Sequence, residues 1–316
     1  MTPGLADVLA ARRRIAPHLP RTPLFSYPQL DDLVGARVYV KHENHQPVGA
    51  FKVRGGVNLV AQLSDDERER GLIASSTGNH GQSIAFAARL FGVKARICIP
   101  ARANPVKVAA MEGLGAELVV SGAKFDDARE NAERLAAEHG YRYVHSGNEP
   151  DLIAGVATET LEIVEQEPDV EAVIVPVGGG SGAAGACVVA AAVNPELKVI
   201  AVQSEAAPAA YRSWKEGRPV EAPDQTYAEG LATGAPFELP QQIMREHLHD
   251  FVLVSEEEIR SAQRAMIERT RNLIEAAGAA TLAAALRLAD ELRGRRVALV
   301  ASGGNVSREQ LLEVLA

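Results

Sequence analysis

Residues 49–56 of this 316-residue chain read Gly-Ala-Phe-Lys-Val-Arg-Gly-Gly, and the lysine at their centre is Lys52. An aromatic and a β-branched residue flank Lys52, and glycines lie at both ends of the stretch. Such surroundings predict an amine that tight backbone positions and partly desolvates. Desolvation makes a lysine lose its proton more easily, so it can form a Schiff base with an aldehyde cofactor. A capping lysine beside a turn is the simpler alternative, and three further motifs argue against it.

Three segments rich in glycine, serine and asparagine follow Lys52 in order. They are residues 76–81 (Ser-Thr-Gly-Asn-His-Gly), 177–182 (Val-Gly-Gly-Gly-Ser-Gly) and 302–305 (Ser-Gly-Gly-Asn). Each lies where a predicted strand gives way to a turn or helix. The carboxyl ends of strands are where open α/β sheets bind ligands. We therefore interpret Lys52 and the three segments as parts of one ligand site.

Short apolar strands alternate with alanine-rich helical segments along the chain. Several strands are continuous apolar runs, which is typical of parallel strands that are covered on both faces. The alternation predicts an α/β fold with parallel sheets. The predicted strands are residues 38–40, 72–74, 95–99, 117–120, 172–175, 198–202, 251–254 and 297–300, and the main predicted helices are 82–91, 125–138, 182–192 and 279–292.

The composition limits the classes of partner. The chain carries 33 basic and 41 acidic side chains, a net charge of −8, which argues against nucleic acid or an anionic membrane as partner. It contains no apolar run of about 18 residues that would span a bilayer and no signal segment. Cys98 and Cys187 lie in apolar patterns and are interpreted as buried hydrophobic residues. We therefore expect a cytoplasmic protein.

The middle glycine segment suits a phosphate group. A strand over residues 173–177 leads into it and a helix follows, so backbone N–H groups and the helix dipole converge on one point. A dinucleotide-binding fold would need its glycines in an opening βαβ unit, and a nucleoside-triphosphate loop would end in Gly-Lys-Ser/Thr. Neither pattern is present. The predicted phosphate cradle is Gly178, Gly179, Gly180, Ser181 and Gly182.

This ordered set of motifs resembles the fold type II pyridoxal-phosphate enzymes, in particular the threonine/serine dehydratase and serine racemase family, over nearly the whole chain. The resemblance implies a tryptophan synthase β-like α/β fold, with two parallel-type α/β domains and pyridoxal 5′-phosphate in the cleft between them. It implies a large cofactor-binding domain of residues 1–69 and 149–316 and a small inserted domain of residues 70–148. It also implies a homodimer.

The resemblance assigns roles to individual residues. Lys52 and Thr77 are the expected catalytic residues, because racemase-like members use a serine at the position of Thr77. Ser302 is expected to bond the pyridine nitrogen; a neutral hydroxyl cannot keep that nitrogen protonated, which favours rapid loss of a β-substituent. The expected cofactor-binding residues are Phe51, Lys52, Asn79, the five of the phosphate cradle, Glu275 and Ser302. The expected substrate-binding residues are Ser76, Thr77, Gly78, Asn79 and His80.

Two segments depart from the family pattern. Gln203 and Ala209 stand where racemase-like members have carboxylates that bind a divalent ion, and Glu205 is displaced in register. Hard cations need several oxygen ligands, so we predict no metal site. Val156 and Ala157 replace a Gln-Gly pair, which is expected to alter the substrate pocket.

These observations together predict a pyridoxal-phosphate-dependent dehydratase. We expect it to convert a hydroxy amino acid, L-threonine or L-serine, to a 2-oxo acid and ammonia. One alternative is an amino-acid racemase that uses Thr77. Another is a lyase for a bulkier or polar β-hydroxy amino acid such as 3-hydroxyaspartate or phenylserine. A non-catalytic binding protein is disfavoured, because ligand binding alone needs no lysine such as Lys52.

Overall fold

The computed structural model describes residues 1–101, 103 and 105–316. Within them the chain forms two β-sheets with helices packed against them. The strands are β1 (Leu24–Ser26), β2 (Arg37–His42), β3 (Leu72–Ser75), β4 (Ala95–Ile99), β5 (Glu117–Val120), β6 (Arg142–Tyr143), β7 (Ala172–Pro176), β8 (Lys198–Ser204), β9 (Asp250–Val254) and β10 (Arg296–Ala301).

Helices connect most of these strands. They are α1 (Leu5–Ile15), α2 (Pro28–Val34), α3 (Lys52–Val60), α4 (Asp65–Arg70), α5 (Asn79–Phe91), α6 (Pro105–Gly113), α7 (Phe125–His139), α8 (Pro150–Gln166), α9 (Ser181–Val193), α10 (Ala209–Glu216), α11 (Glu238–His247), α12 (Glu256–Thr270), α13 (Ala276–Arg287), α14 (Ala289–Leu292) and α15 (Arg308–Leu315). Two short 3₁₀ helices cover Glu43–His45 and Glu229–Leu231.

The larger sheet has the strand order β1-β2-β10-β7-β8-β9, and the smaller has the order β5-β4-β3-β6. Strands pair in parallel in the described part of the chain, except β1, which runs antiparallel to β2. The predicted α/β class with parallel sheets is confirmed, and each predicted strand is present. The strands β1 and β6 were not predicted, because three and two residues are too few to show a periodicity.

Most of the predicted helices are confirmed as α5, α7 and α9, each within a few residues of its predicted bounds. The single helix expected over residues 279–292 is wrong. Two helices, α13 and α14, meet there at Leu288, whose φ of −98° and ψ of 15° leave the helical region. The alanine- and leucine-rich pattern runs on across Leu288, so no local pattern indicates the break.

Separate apolar cores cover the two sheets. One core lies on each face of the larger sheet, and a third joins the smaller sheet to α3 and α5 through residues such as Val53, Val57 and Leu72. Helix α3 also packs against α8. The helix that begins with Lys52 is therefore clamped between the two sheets. The domain boundaries expected after residues 69 and 148 stay a prediction.

The two cysteines are free and fully buried, Cys98 in β4 and Cys187 in α9, as predicted. Among the helices described here, none has the length and hydropathy needed to cross a lipid bilayer.

Candidate active site

A cleft of about 1700 Å³ opens where loops from both sheets face each other. Residues 75–80 end β3 and open α5, residues 176–182 end β7 and open α9, and Ser302 follows β10 directly. The lining thus comes from the carboxyl ends of parallel strands, as expected for ligand sites in α/β sheets.

Backbone contacts fix the position of Lys52, the first residue of α3. Ala50 forms an antiparallel bridge with Gly303, and the Phe51 N–H donates to the Ser302 carbonyl at 3.0 Å. These contacts tie the segment before the lysine to the loop after β10. The tight backbone predicted around Lys52 is therefore built from two of the sequence motifs pairing with each other.

The amine of Lys52 lies at the wall of the cleft. Its Nζ donates to Ser181 Oγ at 2.7 Å and to the carbonyl of Ser146 at 3.3 Å, and it lies 5.2 Å from the centre of the Phe51 ring. Desolvation lowers the pKa of Lys52 to about 8. A larger share of this amine is neutral near pH 7 than of an ordinary lysine, which is what a nucleophile needs.

The glycine loop before α9 has no room for side chains. A Cβ on Gly178 would lie 2.3 Å from the carbonyl oxygen of Gly230, and one on Gly179 would lie 2.1 Å from the Phe237 ring. Gly180, which caps α9, has a φ of +89° that favours glycine. A helix N-terminus leaves N–H groups without partners, so this loop fits a phosphate ester.

Two amides and a carboxyl group form a chain of hydrogen bonds at the cleft. Asn305 Nδ2 donates to Asn79 Oδ1, and Asn79 Nδ2 donates to Glu275 Oε1, each at 2.8 Å. Burial raises the pKa of Glu275 to about 7, and the charge of Lys107 opposes this rise. The network holds Asn79 in one orientation and leaves its partner Glu275 partly protonated near neutrality.

The loop before α5 is braced by its own side chains. Ser76 Oγ accepts N–H bonds from Gly78 at 3.1 Å and from Gly81 at 2.9 Å. His80 is buried, and its Nε2 lies 3.3 Å from the Val144 carbonyl. Burial, followed by the charge of Lys52, lowers the pKa of His80 to about 3, so the ring is neutral. Both side chains shape the loop in this structure.

The predicted site residues all contribute to the lining of this one cleft, including Phe51, Thr77, Gly182, Glu275 and Ser302. Their assigned roles stay predictions. Sequence reasoning did not find the ion pair between Lys107 of α6 and Glu229 of the second 3₁₀ helix, which joins the two walls. It also missed Ser146, which contributes only a carbonyl group and so leaves no sequence signal.

The positions compared with a family metal site have other partners. Gln203 Oε1 accepts the N–H of Tyr211 at 3.0 Å, and Glu205 pairs with Arg287 at 3.2 Å. The described residues contain no group of three or more His, Cys, Asp and Glu side chains that could hold a metal ion. The expected absence of a metal remains a prediction.

Comparisons with known proteins agree over nearly the whole chain. The family model described as pyridoxal-phosphate dependent enzyme matches residues 15–303. L-threonine ammonia-lyase of Thermotoga maritima is 40% identical over 96% of this chain and 75% of its own length. L-threo-3-hydroxyaspartate ammonia-lyase of Saccharomyces cerevisiae is 36% identical over 100% of this chain and 97% of its own length. Serine racemase from Dictyostelium discoideum superposes with a TM-score of 0.92 at 34% identity, over 97% of this chain and 100% of that chain.

Proposed function

This chain belongs to the pyridoxal-phosphate dependent enzymes, and on that premise we propose that it is a β-eliminating ammonia-lyase. It removes water from L-threonine or L-serine, and the released enamine takes up water again to give a 2-oxo acid and ammonia. The observation that carries the proposal is the amine of Lys52, which has a lowered pKa and lies 2.7 Å from Ser181 in the phosphate-type loop. The similarity to L-threonine ammonia-lyase supports this choice of substrate.

The residues of the cleft fit pyridoxal 5′-phosphate. The glycines of the 178–182 loop offer N–H donors without side-chain bulk to its phosphate, and Lys52 offers the amine to which its aldehyde attaches. Ser302 is assigned to the pyridine nitrogen and Asn79 to the ring hydroxyl. When bound, the cofactor supplies an electron sink for the bonds at the substrate's Cα.

Lys52 is assigned the proton transfer. Once the substrate's amine had replaced that of Lys52 at the aldehyde, the freed Nζ would take the α-proton, while the pair of electrons from the Cα–H bond forms the new Cα–Cβ double bond as the β-hydroxyl leaves. The departing hydroxyl needs one proton to become water. The proton that Lys52 has gained from Cα supplies that number, so no proton is gained or lost in the elimination. A base with a pKa of about 8 suits both directions of transfer near neutral pH.

The loop before α5 orients the substrate. The N–H groups of Asn79 and His80, which begin α5, and the hydroxyl of Thr77 hold the α-carboxylate, which turns the Cα–H bond towards Lys52. Ser76 and His80 keep the loop in the shape that this requires.

A racemase is the second candidate, supported by the similarity to serine racemase and by one feature of Thr77. The Thr77 hydroxyl lines the cleft and forms no side-chain hydrogen bond with the residues that the structure describes. It is therefore available to exchange a proton with the substrate. A racemase would return the α-proton to the other face of Cα instead of losing the β-hydroxyl.

Release of 2-oxo acid from a panel of β-hydroxy amino acids tests the proposal. The panel contains L- and D-threonine, L- and D-serine, threo-3-hydroxyaspartate and phenylserine. Oxo acid from L-threonine or L-serine is the expected result. Altered chirality of the recovered amino acid without oxo acid would select the racemase, and release from 3-hydroxyaspartate alone would move the substrate to an acidic one.

We also propose a cytoplasmic homodimer with the domain boundaries given above. Two free, buried cysteines suit a reducing compartment. The dimer rests on the family resemblance, and sedimentation equilibrium tests it.

A further inference from the structure

The ring of Phe237 fills a gap that two glycines leave open. Phe237 lies directly before α11, half-buried at the cleft, with its ring centre 4.7 Å from that of His145 in an edge-to-face contact at 80°. A Cβ on Gly147 would lie 2.4 Å from this ring, and one on Gly179 would lie 2.1 Å from it. The loop after β6 and the loop after β7 therefore both depend on glycine to accommodate one aromatic side chain.

This ring packs against the two segments that hold the reactive amine. Lys52 Nζ has two hydrogen-bond partners, Ser146 and Ser181. Ser146 lies between His145 and Gly147, which both contact the Phe237 ring. Ser181 lies two positions after Gly179, which also contacts the ring. Phe237 thus contacts both segments that hold the amine, and it lines the cleft.

The wall formed by Phe237 and His145 carries no charge. His145 Nδ1 accepts the N–H groups of Gly147 at 3.1 Å and Asn148 at 3.0 Å, which places the ring proton on Nε2. Burial is the main cause that lowers the pKa of His145, so the ring stays neutral. The N–H of Leu239 donates to Asn148 Oδ1 at 3.2 Å and fixes the start of α11 against this loop.

We propose that Phe237 is a specificity-determining residue that limits the size of the substituent on the substrate's Cβ. This inference rests on the proposed function. A hydrogen or methyl substituent, as in serine or threonine, fits beside the ring, whereas a phenyl group would need the volume that the ring fills. An uncharged aromatic wall also leaves a β-carboxylate without a partner there.

Two cations of the cleft lining, Lys107 and Arg129, already pair with carboxylates of this chain. Arg129 of α7 lines the same cleft, but its guanidinium already pairs with Asp126 at 3.6 Å and with Glu133 at 3.4 Å. These two acidic partners satisfy its charge. Size at Phe237 is therefore the property that we expect to select among neutral substrates.

The variant Phe237→Ala tests the inference. We expect the ratio of kcat/KM for phenylserine to that for L-threonine to rise at least about tenfold, since a pocket discriminates by that much over a methylene-sized difference. Phe237→Leu should shift the ratio less. The control is Phe25→Ala, the same change at a half-exposed residue outside the cleft, which should leave the ratio unchanged.

A second variant tests the packing without removing the ring. Gly147→Ala places a methyl group against Phe237, so it should lower kcat/KM for L-threonine in the parent but not in a Phe237→Ala background. Equal losses in both backgrounds would show that Gly147 acts independently of the ring and would contradict the inference.

Binding separates this inference from the proposed function. Calorimetric affinities of phenylserine and L-threonine for the cofactor-loaded protein should shift in the same ratio. If the parent releases no oxo acid, the proposed function fails and the affinity ratio still decides on Phe237. If Phe237→Ala weakens binding of pyridoxal phosphate while both ratios stay unchanged, the ring shapes only the phosphate loop and the inference is wrong.

Discussion

Lys52 and Arg54 lie two residues apart on α3, yet the structure treats their charges in opposite ways. Lys52 faces the cleft with no carboxylate partner among the described residues, and burial lowers its pKa to about 8. Arg54 is buried among carboxylates; burial would lower its pKa, but Glu43 and Glu162 more than reverse this and the pKa is raised. One short helix therefore holds a reactive cation, Lys52, and a fixed cation, Arg54, and the nearby carboxylates determine which of the two stays charged.

The fixed cation belongs to a buried charge cluster of Lys41, Glu43, Arg54, Glu159 and Glu162. Arg54 Nε donates to Glu43 Oε2 at 2.7 Å, and its Nη1 donates to Glu162 Oε1 at 2.8 Å. Lys41 Nζ donates to Glu162 Oε2 at 2.6 Å. These bonds link α3 to β2, to the first 3₁₀ helix and to α8. The cluster therefore anchors the helix whose first residue is Lys52.

Glu159 is the exception within the buried charge cluster. Its Oε2 has no hydrogen-bond partner among the residues described here. Burial, followed by the charge of Glu43, raises its pKa well above the usual value. A protonated Glu159 leaves two cations against two carboxylates, so the buried charge cluster is neutral overall.

The largest effect should come from removing the reactive cation. Lys52→Ala should lower the rate of oxo-acid release at least about a thousandfold, because proton transfer and covalent attachment both need the amine. The free energy of unfolding should not fall, since Lys52 has no carboxylate partner to lose. Retained turnover would remove Lys52 from the mechanism. Circular dichroism and urea unfolding of the variant provide the control.

Removing the fixed cation, Arg54, should lower the stability of the fold. Arg54→Met leaves Glu43 and Glu162 buried without their partner, which should lower the free energy of unfolding by about 3–5 kcal/mol. The control is Arg293→Met, which removes an exposed pair with Asp290 and should cost less than about 1 kcal/mol. Urea unfolding measures both. Equal costs would mean that the buried charge cluster adds nothing to the anchoring of α3.

The two glutamates of α8 in the buried charge cluster should differ in their effect on stability. Glu162→Gln removes a charge that Arg54 and Lys41 need, so we expect a loss of about 2–3 kcal/mol of unfolding free energy. Glu159→Gln replaces a carboxyl group that is already protonated, and we expect a change within about 0.5 kcal/mol at pH 4.5.

The pH dependence of Glu159→Gln has a definite sign. A carboxyl whose pKa is raised by folding contributes stability below its unfolded pKa and loses it as the pH rises. The glutamine variant cannot lose this contribution. Its stability relative to the parent should therefore increase between pH 4.5 and pH 7. A constant difference over this range would mean that Glu159 is ionised in the folded protein.

The cleft was more predictable from the sequence than the buried charge cluster. Glycines, hydroxyls and a lysine after strands have few structural uses, so their pattern indicates a phosphate and aldehyde site. Lys41, Glu43 and Glu162 look like ordinary surface charges, because one sequence does not show that they meet. The Phe237 contact with Gly147 and Gly179 depends on three loops coming together, which no local pattern encodes. The break at Leu288 was hidden for a related reason, since both helices keep the same apolar composition.

The titration of Lys52 itself in the cofactor-free protein gives the last contrast with Arg54. A folded pKa of about 8, against about 10.5 for an ordinary lysine, means that the unfolded chain binds the proton more tightly. Stability relative to Lys52→Met should then rise as the pH increases from 8 to 10.5. Carbon-13 NMR of labelled lysines should show one signal, absent in Lys52→Met, that titrates near pH 8. A titration midpoint of the Lys52 signal above 10 would show that the cleft leaves the amine hydrated. Lys52 and Arg54 would then differ only in how deeply each is buried.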